Sequence, residues 1–494
     1  MICVSIGRGR HQHMIDEHAR LVEQGAKLVE LRLDYIVRTV NLKRVLKDKP
    51  GPVVVTCRRE ADGGKWSGTE AERQVLLRSA IAEQVDYVDL EEDIADKIPR
   101  FGKTKRIISL HDFDKTPEDL PAIHARLKQL DPDIIKIATM ANNPHDNLRM
   151  LKLVQSSEIP TIGLCMGEIG TPTRILARKY GAPFTFATYS QERTMAPGQI
   201  SFRQMVDIYN YPNLNKDTEV YGVIADPVGH SLSPVVHNAA FQELGLNKVY
   251  LPFRVPPEDL PQFMTDCQAM GIKGLSVTIP HKETVMAFCT KMDGAAKGVG
   301  AVNTVKFDGD DVIGYNTDYK AAMSCIDQRL PSESKKPLEG HKALILGAGG
   351  AARAIAFGLV RRGAKVFITS RTYIRAATLA DDLECEAIEW EKRHSVKAEI
   401  LINATPVGMH PNVDKSPFEK LKLRPNSVVF DTVYNPEQTL LFKDAKQRRC
   451  RVISGLEMFV GQAALQFYHF TGVDKPPMEL IRERVKRAIG AARY

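Results

Sequence analysis

Eight short apolar runs follow one another between Ile2 and Tyr189, and their rhythm restricts the fold more than any other feature of the chain. The runs are Ile2–Gly7, Leu28–Tyr35, Val53–Arg58, Tyr87–Glu91, Arg106–His111, Ile134–Thr139, Pro160–Met166 and Phe184–Tyr189. They are continuously apolar more than alternating, the pattern of strands covered on both faces. Amphipathic stretches such as Thr69–Gln84, Pro117–Leu130 and Asn147–Ser157 separate most of them, and the interval after the fourth run is short for a helix. Strand and helix alternating eight times within about 210 residues predict an α/β fold of the (β/α)8, or TIM-barrel, type over residues 1–212.

In a barrel of this kind the chemistry sits at the carboxyl ends of the strands, and polar residues collect there. Glu30, Arg32 and Asp34 end the second run, Arg58 the third with Asp62-Gly63-Gly64 beyond it, and Asp89 and Glu91 the fourth. His111-Asp112 closes the fifth, Arg174 follows the seventh, and Ala196-Pro197-Gly198-Gln199 follows the eighth. Lys136 lies inside the isoleucine-rich sixth run, where an amine must be paired or give up its proton. Two readings stay open for it: a buried ion pair with a carboxylate such as Glu91, or a nucleophile that forms an imine with a carbonyl. His111 suits proton transfer near neutrality, although a strand-end His bonded to its neighbours looks the same in sequence. Arg32, Arg58 and Arg174 come from three strand ends and suit a carboxylate or polyol ligand.

Asn210–Pro234 breaks the rhythm. The Asn-rich, aperiodic NYPNLNKD reads as a junction, with a linker of Tyr211–Glu219. YGVIADPVGHSLSP then reads as strand, turn and helix start, and places Ser231 and Ser233 where they either cap a helix or meet a small ligand. GIKGLSVTIPHKETVM predicts a strand ending at Thr278 and a helix from Pro280, with Lys282 in its first turn against the helix dipole. Asn303 in GAVNTV, and Asn316 and Asp318 in GYNTDYKAAM, are turn residues unless a ligand uses them. HKALILGAGGAARAIAF is a strand, a turn through Gly347-Ala348-Gly349-Gly350-Ala351 and a helix, with the strand KVFITS following, which is the context of a dinucleotide site. That second strand ends in Ser370-Arg371-Thr372 with Arg375 beyond. Two guanidinium groups and no carboxylate favour the 2′-phosphate of NADP over NAD. ILINATPVGM brings Asn403 and Thr405 to a strand end, VVFDTVYNP brings Tyr434, and VISGLEMFVGQAALQF supplies a turn at Gly455 and Gln462 in an apolar helix stripe. The expected order is a substrate lobe over 218–320, a connector PSESKKPLEG at 331–340, a Rossmann-type lobe over 338–450, and C-terminal helices over 451–494 that return to the substrate lobe. The cleft between the two lobes is the expected site.

Composition narrows the partners. The formal charge of +8 is spread along the chain, with no basic block interleaved with aromatics, so acidic small molecules fit and nucleic acid does not. No apolar run reaches membrane-spanning length, and MICVSIGRGR lacks a signal pattern. The eight Cys form no CxxC and several sit in strand-like runs, as in a reduced, cytoplasmic protein. No metal site is expected, and oligomeric state, including a homo-oligomer, is left open.

The first half resembles the type I 3-dehydroquinate dehydratases through ELRLD, TCR with its Gly-Gly loop, SLHDF, KIAT and APGQIS, in that order. The resemblance implies dehydration of 3-dehydroquinate to 3-dehydroshikimate through an imine on Lys136, with His111 as general acid and base. It places Asp62 near His111, and Glu30, Arg32, Arg58, Arg174 and Gln199 on the substrate. The second half resembles the shikimate dehydrogenases through HSLSP, VTIPHK, GAVNT, NTD, GAGGAARA, SRT-x-x-RA, INAT and GQAA. That resemblance implies reversible reduction of 3-dehydroshikimate to shikimate with NADPH and a catalytic pair of Lys282 and Asp318. Ser231, Ser233, Thr278, Asn303 and Gln462 become substrate contacts, with Tyr434 near the substrate and Gly455 near the nicotinamide. Three positions depart from the family patterns: Asp62 stands for Glu, Met195 for Ser and Ser276 for Asn. Asp62 and Met195 keep open the alternative that only the dehydrogenase half is fully active, and an alternative of a different class is a non-catalytic sensor of quinate or dehydroshikimate. The presence of Lys136, His111, Lys282 and Asp318 speaks against the sensor, because binding alone does not require them.

Overall fold

The computed structural model describes residues 1–330 and 338–491, so most of the connector expected at 331–340 lies outside the described residues. The chain divides into two compact units. The first comprises Met1–Val220, Asp226–His230 and Leu246–Gly271. Its core is eight parallel strands, β1 (Ile2–Ile6), β2 (Leu28–Arg32), β3 (Val53–Thr56), β4 (Tyr87–Glu91), β5 (Lys105–Asp112), β6 (Ile134–Met140), β7 (Thr161–Met166) and β8 (Thr185–Thr188). Ladders join them in the order β7-β6-β5-β4-β3-β2-β1-β8, which makes a nearly closed barrel with no ladder between β7 and β8. Cys3, Leu28, Val54, Ile107, Ile134, Ile162, Leu164, Phe184 and Phe186 form a buried cluster at this sheet.

Several expected ends shift by one to three residues. The second strand stops at Arg32 because Leu33–Tyr35 turns into a 3-10 segment, and a 3-10 turn at Glu92–Ile94 stands where an outer helix would follow β4. Helix Glu70–Ala82 starts cleanly because Thr69 and Glu72 exchange hydrogen bonds in a capping box. The expected linker is packed. Tyr211 is 0% exposed, and the Thr218 hydroxyl accepts from the Asn215 N–H and donates to Asn247.

Beyond the barrel the strands are β9 (Glu219–Ala225), β10 (Lys248–Arg254, counted with the first unit), β11 (Ile272–Val277), β12 (Lys291–Met292), β13 (Thr304–Asp308) and β14 (Asp311–Tyr315). Within the second unit β9, β11, β13, β14 and β12 lie side by side in that order. A second sheet, wholly parallel, comprises β15 (Lys342–Leu346), β16 (Lys365–Ser370), β17 (Glu386–Glu389), β18 (Ile400–Asn403), β19 (Val428–Asp431) and β20 (Arg451–Ser454). Its order β17-β16-β15-β18-β19-β20 is the Rossmann order, with its switch point between β15 and β18. Helix Gly455–Thr471 packs on helix Thr317–Asp327 and on β11 and β13, and helix Met478–Ala491 packs on helix Ser233–Glu243.

Two local expectations are corrected. No helix starts at Pro280: residues 280–283 form turns before a 3-10 helix at Thr284–Phe288. The reason is visible in the backbone, where the Lys282 carbonyl accepts from the Val302 N–H at 2.7 Å and so is not spent on a helical turn. Gly455 is the first residue of its helix, and the turn precedes it. Among the described residues no helix is long and apolar enough to cross a membrane.

Candidate active sites

The barrel holds a cavity of about 60 Å³, lined among others by Glu30, Arg32, Arg58, Asp62, His111, Lys136, Arg174, Met195 and Gln199. The expected barrel residues therefore converge on one space. Lys136 is 6% exposed, and its Nζ donates to Asp89 Oδ2 at 2.9 Å and lies 4.2 Å from the centre of the Phe186 ring. The partner is thus Asp89 and not Glu91, which instead pairs with Arg58 at 3.3 Å and Arg73 at 2.7 Å. Burial works to raise the Asp89 carboxyl, but Arg58 and Lys136 outweigh it and hold it well below the usual carboxylate range. Ser109 adds a hydrogen bond to Asp89 at 2.6 Å. Asp89 was missed as a site residue, although the spacing of Asp89 and Glu91 in one buried parallel strand put two carboxylates on one face.

His111 takes the Arg58 Nη1–H on its Nδ1 at 3.1 Å, which leaves Nε2 to carry the ring proton. Burial, then Arg58 and Lys136, hold its pKa well below the ordinary value of 6.5. Asp62 lines the cavity with its carboxylate on Arg59 Nε at 2.6 Å. Glu30 accepts from the Ser5 and Thr56 hydroxyls at 2.5 and 2.8 Å, and Arg32 is bound by Asp34 through two parallel bonds of 2.9 and 2.8 Å.

Arg174 differs from the other cations. It is 2% exposed and has no carboxylate partner among the described residues; its guanidinium makes a 3.4 Å contact to the Pro197 carbonyl, and its buried Nε is unsatisfied. Burial draws its pKa down to about 10. A guanidinium desolvated this far and left uncompensated is a place prepared for an anion. The loop over the mouth is shaped by Gln199, whose Oε1 accepts the Met195 and Ala196 N–H groups at 2.7 and 3.2 Å. Gly198 has φ +71°, and a Cβ there would lie 2.2 Å from the Gly167 carbonyl oxygen, so only glycine allows this close docking.

In the second unit Lys282 Nζ donates to Asp318 Oδ2 at 2.5 Å. Asp318 stands in the first turn of helix Thr317–Asp327, whose Asn316 cap accepts the Tyr319 N–H. The Asn303 side chain accepts the Thr317 N–H at 2.8 Å and donates to its hydroxyl at 2.9 Å, which fixes Asn303 beside that helix start. Ser233 donates its N–H to Ser231 Oγ at 3.3 Å, and the Thr278 N–H bonds the Ile224 carbonyl. Ser276 donates to Gln466 Oε1 at 2.8 Å, and Gln466 Nε2 donates to the Asn303 carbonyl and the Thr304 hydroxyl at 3.0 and 3.1 Å. Gln466 lies one helical turn after Gln462 and was not singled out in the sequence; that i, i+4 spacing was the available signal. Gln462 donates to the Phe459 carbonyl, and Tyr434 packs on Phe459 with ring centres 4.9 Å apart.

The glycine turn lies against this pair. A Cβ on Gly350 would sit 3.2 Å from Lys282 Cδ. Gly347 has φ +113°, and a Cβ there would lie 2.6 Å from the Ala404 carbonyl oxygen, where β15 and β18 part. Asn403 accepts from both Thr405 groups, the N–H at 3.0 Å and the hydroxyl at 2.6 Å, and is held by Asp431 at 2.9 Å. A Cβ on Gly455 would come within 2.4 Å of the Thr432 carbonyl oxygen.

Comparison with known proteins gives four family matches along the chain. Type I 3-dehydroquinase matches residues 2–216, the shikimate dehydrogenase substrate binding domain 223–305, shikimate / quinate 5-dehydrogenase 329–436 and the shikimate 5′-dehydrogenase C-terminal domain 455–486. A bifunctional 3-dehydroquinate dehydratase/shikimate dehydrogenase of Arabidopsis thaliana, named as chloroplastic, is 38% identical over 501 residues, 96% of this chain and 83% of its own. The chain belongs to this bifunctional family. A shikimate dehydrogenase (NADP(+)) of Methanothermobacter thermautotrophicus is 41% identical to the bifunctional chain over 283 residues, 55% of this chain and 97% of its own. A crystal structure of a shikimate dehydrogenase in complex with NADP+ superposes with a TM-score of 0.52 and 38% identity, over 56% of this chain and 97% of its own.

This bifunctional enzyme is therefore a lyase and an NADP-dependent oxidoreductase on one chain. Its nucleotide turn fits the cofactor. The Cβ position of Gly349 has nothing within 4 Å, so the backbone can be approached closely, and Arg371 and Arg375 are exposed with no ion pair among the described residues. Replacing either Arg by Ala should raise the KM for NADPH roughly 10-fold while that for NADH changes less than about twofold, measured by steady-state reduction.

Proposed function

We propose that the barrel dehydrates 3-dehydroquinate through an imine on Lys136 and that the second unit reduces the resulting 3-dehydroshikimate with NADPH, using Lys282 and Asp318. The observation that carries the first half is the buried Lys136, held by Asp89 beside a neutral His111 and within a cavity that also presents the uncompensated Arg174. Arg174 takes the substrate carboxylate, and Glu30, Arg32 and Gln199 take hydroxyls. Lys136 gives its ammonium proton to the neutral His111 and attacks the ring carbonyl as the free amine, and His111 returns that proton to the carbinolamine oxygen as water leaves. The iminium makes the adjacent C–H acidic; His111 takes that proton on Nδ1, once Arg58 turns from it to its carboxylate partners Asp89 and Glu91, and returns one to the leaving hydroxyl. Water then hydrolyses the imine and restores Lys136.

In the second unit NADPH supplies a hydride when bound. Lys282 gives a proton to the oxygen that becomes the alkoxide, and Asp318 holds the ammonium in place. Ser231, Ser233, Thr278, Asn303 and Gln462 orient the ring, with Tyr434 beside it. Gly347–Ala351, Ser370–Thr372, Arg375, Asn403, Thr405 and Gly455 hold the cofactor. We assign residues 1–212 to the dehydratase, 218–320 to the substrate lobe, 338–450 to the NADP lobe and 451–494 to the returning helices. The eight free cysteines support a reducing compartment, and the cytoplasm is the one proposed here, while the Arabidopsis relative is named chloroplastic.

A coupled assay with 3-dehydroquinate and NADPH tests both halves, and absence of shikimate in the product sinks the reading. Two finer results are expected. Arg174→Met should raise the KM for 3-dehydroquinate roughly 10- to 100-fold, since a charge-assisted contact is lost. It should also raise the melting temperature of the unliganded protein, because an uncompensated buried charge is removed. The second result concerns pH. The base form of His111 is the neutral one, and its pKa lies below 6.5, so protonation is deferred as pH falls. Dehydratase kcat/KM should stay level from about pH 7.5 to about pH 6, and a fall centred at the ordinary histidine value would count against His111 as the base.

A further inference from the structure

The catalytic cavity of about 60 Å³ adjoins a larger one of about 300 Å³, and Ser5 and Met195 line both. Met195 belongs to the loop over the barrel mouth, and its Sδ lies 3.9 Å from Arg32 Nη1, inside the catalytic cavity. Its side chain is therefore part of the wall between the two spaces. The larger space is cationic. Arg8 after β1, Lys65 after β3 and Arg193 after β8 line it, against a single carboxylate, Glu17. Glu17 is 2% exposed and is shared: Arg8 Nε reaches Oε2 at 2.5 Å and Arg193 Nη1 reaches Oε1 at 2.8 Å. Lys65 Nζ lies over the Tyr35 ring at 4.6 Å, with no carboxylate on it among the described residues.

We propose that this second cavity is a capture site for the carboxylate of the barrel's substrate, occupied before the ring passes Met195 to reach Arg174. The inference rests on the dehydratase reading given above. Two guanidinium groups on one carboxylate leave one of them available. Arg193 can exchange Glu17 for an arriving carboxylate while Arg8 keeps Glu17 paired, so no buried charge is stranded. Arg193 is the natural acceptor because its side chain is 44% exposed and belongs to the same loop as Met195. Engaging it therefore acts on the segment that walls off the catalytic cavity. Lys65 adds an unpaired positive charge that draws anions in from solution.

The test uses dehydration of 3-dehydroquinate by the full chain and by three variants, with kcat/KM read at about 20 mM and about 0.5 M ionic strength. Arg193→Gln should lower kcat/KM roughly 5- to 10-fold at low salt and flatten its salt dependence, and Arg193→Lys should restore most of both. Glu17→Gln frees both guanidinium groups, so it should raise kcat/KM about threefold at low salt and steepen the salt dependence. A purely structural ion pair predicts the opposite sign, because loss of either partner would then impair the barrel. Arg193→Gln with the unaltered rate and salt dependence, or Glu17→Gln with a lowered low-salt rate, overturns the proposal. A rate in every protein without this ordering refutes the capture site alone. No dehydration by the unaltered chain refutes the reading of the barrel and the capture site with it.

Discussion

Lys136→Met should reduce dehydration of 3-dehydroquinate by at least ~10⁴-fold, because the imine route then has no nucleophile and the uncatalysed elimination is slow. Borohydride added during turnover should leave product covalently attached to the unaltered chain and none on the variant, as read by intact mass. Reduction of 3-dehydroshikimate with NADPH by the same protein should persist, since Lys282, Asp318 and the nucleotide turn lie in the second unit. Removing Lys136 also strips Asp89 of one of its two cations, with Arg58 remaining at 2.9 Å. A loss of about 1–3 kcal/mol of stability is expected from that. Lys136→Arg separates the two effects: it keeps a cation near Asp89 but cannot form the imine, so it should be as inactive as Lys136→Met and lose less stability. Trapping on Lys136→Met at the same peptide would overturn the mechanism.

Lys282→Met should lower kcat for 3-dehydroshikimate reduction by roughly 10²- to 10⁴-fold, the range for loss of a positioned general acid. The KM for NADPH should change little if Lys282 acts on the carbonyl oxygen and not on the cofactor. Asp318→Asn removes the carboxylate 2.5 Å from the amine and should lower kcat by a smaller factor, because Lys282 loses the partner that orients it. The two residues act as a unit, so the double variant should be close to Lys282→Met alone; additive losses would show that they work separately. Dehydratase activity serves as the internal control for folding in every one of these proteins.

The sequence departures from family patterns acquire distinct physical meanings in the structure. Met195 faces Arg32 through sulfur and lines the barrel cavity, so a bulky soft side chain stands where the family pattern has a hydroxyl. Ser276 spends its hydroxyl proton on Gln466, and that same Gln466 fixes the backbone of Asn303. Asp62 remains beside the cavity, but Arg59 holds it. The Arg59 partner is local, three positions before Asp62, but Arg32 and Gln466 lie 163 and 190 positions from Met195 and Ser276, and chain spacing does not reveal those pairings.

Periodicity and local chemistry were sufficient for much of the architecture. The continuously apolar runs at Ile2, Leu28, Val53 and onward could bury both faces only in a parallel sheet under helices, and the strand–glycine–helix at Leu346–Ala351 could hardly be anything but a nucleotide turn. Local hydrogen-bond competition defeated the same reasoning at Pro280, where a long-range bond from Val302 takes the Lys282 carbonyl and denies a helix that the sequence favours. Which residues carry charge, and that they gather at the strand ends, was settled by the sequence itself. Only the tertiary structure decided that Asp89 holds Lys136, that Arg174 has no carboxylate partner among the described residues and that Gln466 stands behind Asn303. The physical reason is that pairing in a low-dielectric interior depends on distances of a few ångströms between side chains from different strands, and chain spacing does not encode them.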